Sequence, residues 1–333
     1  EFAECSSSVA YSRIGVCNSR FGTLGTYATD VLNIVAGRLG AAGGALFPTP
    51  AIDITRVTRQ KGMDGHGRWH TRVRGLPETF GELPSAALVE EIETPGEGQI
   101  RALMSFAGNP LLSTPNGKRL ATALPGLDFY VAIDLYVNET TQHANLILPP
   151  AWSLAEEHFD LFFPMMSVRD VARWSPPVVR PRIGEMHDWE ILVALARRLG
   201  GGPTGTPAVD RLLRAAERFG YRWSPASTID LLLRTGSRGD HFLPWSKGLS
   251  VTKLQRAEHG LDLGPLQPGI TRRVLHRDRK VHLAPQPLLE SWDQLEIALT
   301  ETPPADALVL IGRRDLRTNN SWMHNVPAMV SGA

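Results

Sequence analysis

The sequence predicts an α/β fold, with doubly wound, largely parallel sheets in a multi-domain chain. Three observations predict it. Short apolar runs alternate with helical periods between residues 85 and 150, which places helices between parallel strands. Polar residues stand just past the ends of two of those runs, at Gly108-Asn109-Pro110 and at Asp134. In open α/β sheets that edge receives nucleotide-like ligands. The chain is also long enough, at 333 residues, for two or more domains.

Taken in order, residues 8–48 read as strand, glycine-rich loop, helix and glycine-rich stop. The strand is Ser8 to Tyr11, and the helix runs from Tyr27 to Leu39, where Ala28, Val31, Leu32, Val35 and Leu39 recur near helical spacing. Gly43-Gly44 ends it. Residues 49–84 are rich in Gly, Pro and Arg without periodicity and read as a long loop. Within 85–186 the spacing predicts helices at Ser85–Ile92 and Lys118–Leu124 and strands at Arg101–Phe106, Phe129–Leu135 and Leu146–Leu148. A helix follows at 188, capped by Asp188, lined by Trp189, Leu192, Leu195, Ala196 and Leu199, and stopped by Gly200. The rest of 187–304 is helical or irregular, with a helix over Asp210–Phe219. Another strand is expected at Ala307–Ile311.

Composition excludes several functions. A net charge of +1 argues against a general nucleic-acid or membrane-surface binder. No uncharged apolar run reaches ~18 residues, so no membrane span is expected. Two cysteines, Cys5 and Cys17, give neither a zinc motif nor a disulfide framework, and both are expected to be buried and inert. Glu156, Glu157, His158 and Asp160 are spaced for neither one helix face nor alternate strand positions, and read as a solvated turn.

Five groups of residues are candidates for ligand binding. Gly108, Asn109 and Pro110 either present an amide to a phosphate or ribose, or simply make a turn. Asp134 either accepts a two-pronged hydrogen bond from the N1–H and amino group of guanine, or serves as a helix cap or loop salt bridge. Thr140, Thr141 and His143 read as caps and polar loop groups. Gly15, Asn18, Gly22 and Thr23 form a glycine-spaced loop between strand and helix, of neither dinucleotide nor Walker pattern. Arg313 opens a polar stretch with Asn319, Asn320, Ser321 and His324, suited to a polar, anionic ligand. Trp322 and Met323 in its middle argue for burial.

In combination these segments resemble one family, the molybdopterin oxidoreductases of the dimethyl sulfoxide reductase superfamily. The carriers are SRIGVCNSRFGT and the helix TDVLNIVAGRLGAAGGALFP, then GNPLLS, DLYVNETTQHANLILPP, HDWEILVALARRLG and LIGRRDLRTNNSWMHN, in that order. The resemblance implies two molybdopterin guanine dinucleotides around one molybdenum, a two-electron oxygen-atom or hydride-equivalent transfer, and a small-molecule substrate. Asn109, Asp134, Thr140 and Thr141 match residues at one dinucleotide, with Asp134 as the guanine reader. Gly15, Asn18, Gly22 and Thr23 match a loop approaching a pterin dinucleotide. Arg313 and the Asn319–His324 run match the opening of a C-terminal β-barrel domain, expected over 305–333. Residues 1–48 and 85–186 are then two α/β cofactor-binding domains.

The family's 4Fe–4S cysteines and the protein ligand to the metal lie upstream of these segments, so this chain is expected to be an internal fragment holding neither catalytic nor metal-ligating residues. An electron-transfer partner and a cytoplasmic location are expected. Two departures weaken a strict formate dehydrogenase reading. FPTPAIDITRV replaces an Arg-Gly-Gln-Asn-like stretch, and FDLFFPMMSVRDVARW keeps only Arg173 of the usual pattern. The competing expectation is a metal-free relative acting as an electron-transfer or scaffold subunit.

Overall fold

The structure is a computed structural model that describes residues 1–271, 273–310, 323 and 326–330. In chain order, the N-terminal part holds α1 (Ile14–Cys17), α2 (Gly22–Val35), α3 (Ile54–Gln60) and a hairpin of β1 (His66–His70) and β2 (Pro77–Thr79). Next come α4 (Leu88–Glu93), β3 (Ala102–Phe106), α5 (Pro110–Ser113), α6 (Gly117–Ala123), β4 (Phe129–Ile133) and β5 (Leu146–Leu148). Short strands follow at β6 (His158–Phe159), β7 (Arg169–Ala172) and β8 (Trp174–Ser175). The remainder is α7 (Asp188–Arg198), α8 (Pro207–Glu217), α9 (Pro225–Thr235), α10 (Val251–Gln255), β9 (Leu261–Pro265) and α11 (Gln286–Thr300).

The chain divides into two compact units. One contains Glu1–Pro50, Phe163–Val171 and Asp262–Asp315; the other contains Ala51–Phe162, Ala172–Leu261 and Leu316–Ala333. In the first unit α2 packs against α11. The expected strand at 8–11 does not form. Buried Asn33 of α2 accepts the Ala10 N–H at 2.9 Å and donates to the Ala10 carbonyl at 2.8 Å, taking the bonds a neighbouring strand would have made.

The α1–α2 connection likewise joins two helices rather than a strand and a helix. A Cβ on Gly22 would sit 2.2 Å from the Cys17 carbonyl oxygen, so glycine permits this close approach. Cys17 ends α1 and, like Cys5, is exposed rather than buried.

The second unit is built on a parallel sheet in the order β3-β4-β5. Its register runs from Ala102 opposite Phe129 to Phe106 opposite Ile133, then from Val131 opposite Leu146 to Ile133 opposite Leu148. One face is packed by α4 and α6. Val89 and Ile92 meet Leu120, Leu124, Tyr130 and Ala132 there, all buried. Met104, Phe106, Phe129 and Leu146 leave the opposite face exposed. The parallel sheet is therefore as expected, whereas a second helical layer, which double winding requires, is not seen among the described residues.

Residues 49–84, expected as a loop, contain α3 and the β1–β2 hairpin. The hairpin is organised by Glu78, fully buried, which accepts from Arg68 Nη2 at 2.6 Å and from the Gly81 N–H at 2.6 Å. The Arg68 hydrogen bond holds the Glu78 carboxyl down to about 2, with burial opposing and the Gly81 and Arg68 N–H groups assisting.

Helix α7 starts where expected. Its cap is His187, whose N–H donates to Glu190 at 2.8 Å, with Asp188 as first helical residue. Ile191 is its buried residue and Leu199 is exposed, so the buried face is rotated from the expected stripe. Residues 306–310 form no strand and Leu308 to Leu310 are exposed. Most of the expected barrel opening lies outside the described residues. Among those described, no helix is long and apolar enough to cross a membrane.

Candidate functional site

The parallel strands β3 and β4 end side by side, and their C-terminal edge opens into a cleft of about 650 Å3. That size suits a nucleoside-scale ligand. After β3 the chain turns at Ala107, which takes a left-handed φ of 48° while its N–H donates to the Ile133 carbonyl at 2.9 Å. A non-glycine residue in that conformation stores strain that the surrounding structure must hold. Gly108 and Asn109 follow, and Pro110 opens α5, where its missing N–H costs nothing.

After β4 the turn is held by side chains. Asp134 Oδ1 accepts the Tyr136 N–H at 3.1 Å, and Oδ2 accepts from Asn138 Nδ2 at 3.3 Å. Asn138 Oδ1 in turn accepts the N–H groups of Thr140 and Thr141, both at 3.0 Å. The Thr141 hydroxyl donates to the Tyr136 carbonyl at 2.8 Å. Each Asp134 oxygen therefore keeps a lone pair for a ligand bordering the cleft.

The two walls are joined by Thr140. Its hydroxyl donates to Asn109 Oδ1 at 2.6 Å and accepts the Leu111 N–H at 3.0 Å. This fixes the asparagine amide, leaving Nδ2 to donate to Glu139 at 2.8 Å. Thr140 and Thr141 are both fully buried. Beneath the edge, burial pushes the Tyr130 phenol up, opposed by its hydrogen bond with Ser105.

The structure thus brings Gly108, Asn109 and Asp134 to one cleft and places Thr140 and Thr141 behind it. Gly15, Asn18, Gly22 and Thr23 lie at the α1–α2 turn of the other unit. Arg313, Asn319, Asn320, Ser321 and His324 lie outside the described residues. Sequence reasoning missed Asp188 and Glu156. Asp188 reads as a helix cap and Glu156 as part of a solvated turn, yet both border the cleft. Glu156 is half-buried and lies 3.2 Å from His187 Nδ1. The usable signal was a carboxylate next to a helix start, but such residues are common caps.

The model of the molybdopterin oxidoreductase family matches residues 14–198. The assimilatory nitrate reductase catalytic subunit of Bacillus subtilis is 33% identical over 146 residues, 42% of this chain and 20% of that protein. A formate dehydrogenase alpha subunit of Methanocaldococcus jannaschii is 31% identical over 114 residues, 34% of this chain and 16% of its own length. Acetylene hydratase from Pelobacter acetylenicus superposes over 67% of this chain and 34% of its own, at 18% identity and a TM-score of 0.49. The matched segments span a fifth or less of those two curated relatives. With more than half of its residues matched by the family model, the chain belongs to the molybdopterin oxidoreductase family of the dimethyl sulfoxide reductase superfamily.

Proposed function

We propose that the cleft at the end of β3 and β4 holds the guanosine end of a molybdopterin guanine dinucleotide, as part of a molybdenum oxidoreductase carrying two such groups. One observation carries this reading: Asp134 and Asp188 both border a nucleoside-sized cleft at the carboxyl edge of a parallel sheet. A carboxylate matches the N1–H and amino group of guanine, and adenine offers no such donor pair. The carboxylate acceptors therefore fit the group. The lining also supports one end of the group over the other. Among the described residues Asp134, Glu156 and Asp188 border the cleft and no Lys or Arg does, a lining that suits the uncharged base and ribose.

In this role Asp134 reads the base, with its second lone pairs free after the turn is made. Asp188 adds a second acceptor from the first turn of α7. Asn109 presents its amide to the ribose, and Thr140 holds Asn109 in register. Gly15, Asn18, Gly22 and Thr23 are assigned by family resemblance to a pterin dinucleotide. Arg313, Asn319, Asn320, Ser321 and His324 are assigned in the same way to closure over the cofactor. When bound, the molybdenum group supplies two-electron oxygen-atom or hydride-equivalent chemistry, while the protein supplies grip and orientation. Reducing equivalents would pass to a 4Fe–4S cluster and an electron-transfer partner.

The test is nucleotide selectivity. Titration of the protein with GMP and AMP by calorimetry should show binding of GMP alone, weakened by Asp134→Ala. Equal binding of both nucleotides, or GMP binding indifferent to Asp134→Ala, would sink the assignment.

A further inference from the structure

Glu156 borders the cleft and takes no part in reading the base. It follows the single turn Ser153–Ala155, which is seated by buried Ala155. Its Oε1 lies 3.2 Å from His187 Nδ1. An ionised carboxylate only accepts, so the imidazole donates from Nδ1. The imidazole is itself held in place. The His187 backbone N–H donates to Glu190 at 2.8 Å, and the ring lies parallel to the Trp189 indole, with planes 7° and centroids 6.2 Å apart. Trp189 in turn meets Trp223 edge to face at 5.7 Å. This packing anchors the imidazole, and the imidazole anchors one oxygen of Glu156. The other oxygen, Oε2, has no partner among the described residues.

A guanosine in the cleft brings two sets of donors. The base brings N1–H and its amino group, assigned to Asp134 and Asp188. The ribose brings two adjacent hydroxyls, each of which donates one proton and accepts at its oxygen. Asn109 can serve a hydroxyl oxygen, because one Nδ2 proton goes to Glu139 and the other is left. Its Oδ1 is already engaged by the Thr140 hydroxyl. The hydroxyl protons therefore need another acceptor, and Glu156 is the remaining carboxylate of the lining. A charged acceptor makes the stronger hydrogen bond to a hydroxyl.

We propose that Glu156 accepts from the ribose hydroxyls, and that His187 is the positioning residue that holds it for them. The inference rests on the guanosine reading of the cleft and adds the sugar to it. A nucleotide without those hydroxyls would leave Glu156 Oε2 unmet, which is how a site built around a hydroxyl rejects its deoxy analogue.

Competition calorimetry with GMP, 2′,3′-dideoxy-GMP and AMP tests this. The parent should prefer GMP over the dideoxy nucleotide by about tenfold. Glu156→Ala should abolish that preference, and so should His187→Leu. His187→Asn, which keeps a donor near the place of Nδ1, should restore it. The preference for GMP over AMP carried by Asp134 should persist in all three variants, showing that the cleft is intact. Equal binding of GMP and the dideoxy nucleotide by the parent overturns the proposal, as does a preference that survives Glu156→Ala. His187→Asn as poor as His187→Leu overturns the positioning role. A parent that does not prefer GMP over AMP removes the guanosine reading and this inference with it, whereas guanine preference without sugar preference removes this inference alone.

Discussion

Replacing Thr140 by Val isolates the residue that joins the two walls of the cleft. Valine keeps the shape of threonine and deletes only the hydroxyl. Two bonds are lost: the donation to Asn109 Oδ1 at 2.6 Å and the acceptance from the Leu111 N–H at 3.0 Å. Asn109 is half-buried and can turn toward water, so its loss is an ordinary one of about 1 kcal/mol. The Leu111 N–H faces the buried site and is stranded, at about 1–3 kcal/mol. The sum is a destabilisation of about 2–4 kcal/mol, read as a lower urea midpoint at unchanged slope.

Thr140→Ser keeps the hydroxyl, loses one methyl group and should cost only about 1 kcal/mol. With the amide of Asn109 released, GMP affinity should fall about tenfold in the Val variant and recover in the Ser variant. Equal stability of Thr140→Val and the parent would refute the reasoning, as would a Ser variant as weak as Val.

Three further outcomes follow from the geometry. Asp188→Ala should lower the preference for GMP over AMP by about tenfold, measured by competition calorimetry, because one of the two carboxylates assigned to the base is removed. Gly22→Ala should destabilise the α1–α2 pair by about 1–3 kcal/mol, since the new Cβ meets the Cys17 carbonyl at 2.2 Å; thermal melts would show it. Glu78 titrates well below its ordinary 4.5, at about 2, so its contribution is fully present above pH 4.5 and is lost as pH falls toward 2. Amide exchange of the β1–β2 hairpin should accelerate across that window in the parent, and Glu78→Gln should remove the dependence.

The parallel sheet was legible because its signals are local. The apolar runs at 102–106 and 129–133 are bounded by Gly108-Asn109-Pro110 and by Asp134, and helical spacing fills the gap between them. Asp134 and Asn109 were found for the same reason, since position past a strand end is readable in one dimension. Asp188 was not. Its place at the cleft depends on α7 coming back to the sheet edge, a contact more than fifty residues away in sequence. The segment at 8–11 has strand character, and only the distant side chain of Asn33 shows why no strand forms. Residues 49–84 lack periodicity because the hairpin is held by the charged pair Arg68–Glu78 instead of an apolar face. Cys17 looked buried by residue type alone, and the short helix α1 leaves it exposed.

If Asp134 and its neighbours hold a guanine nucleotide belonging to a molybdenum cofactor, that nucleotide must leave with the metal when the protein unfolds. Protein isolated from its natural source under molybdenum-replete conditions should be denatured, and the metal and released nucleotides measured together. Molybdenum should be accompanied by GMP, with both diminished by Asp134→Ala. Recovery of neither would contradict it, and so would a metal accompanied by adenine or cytosine nucleotides.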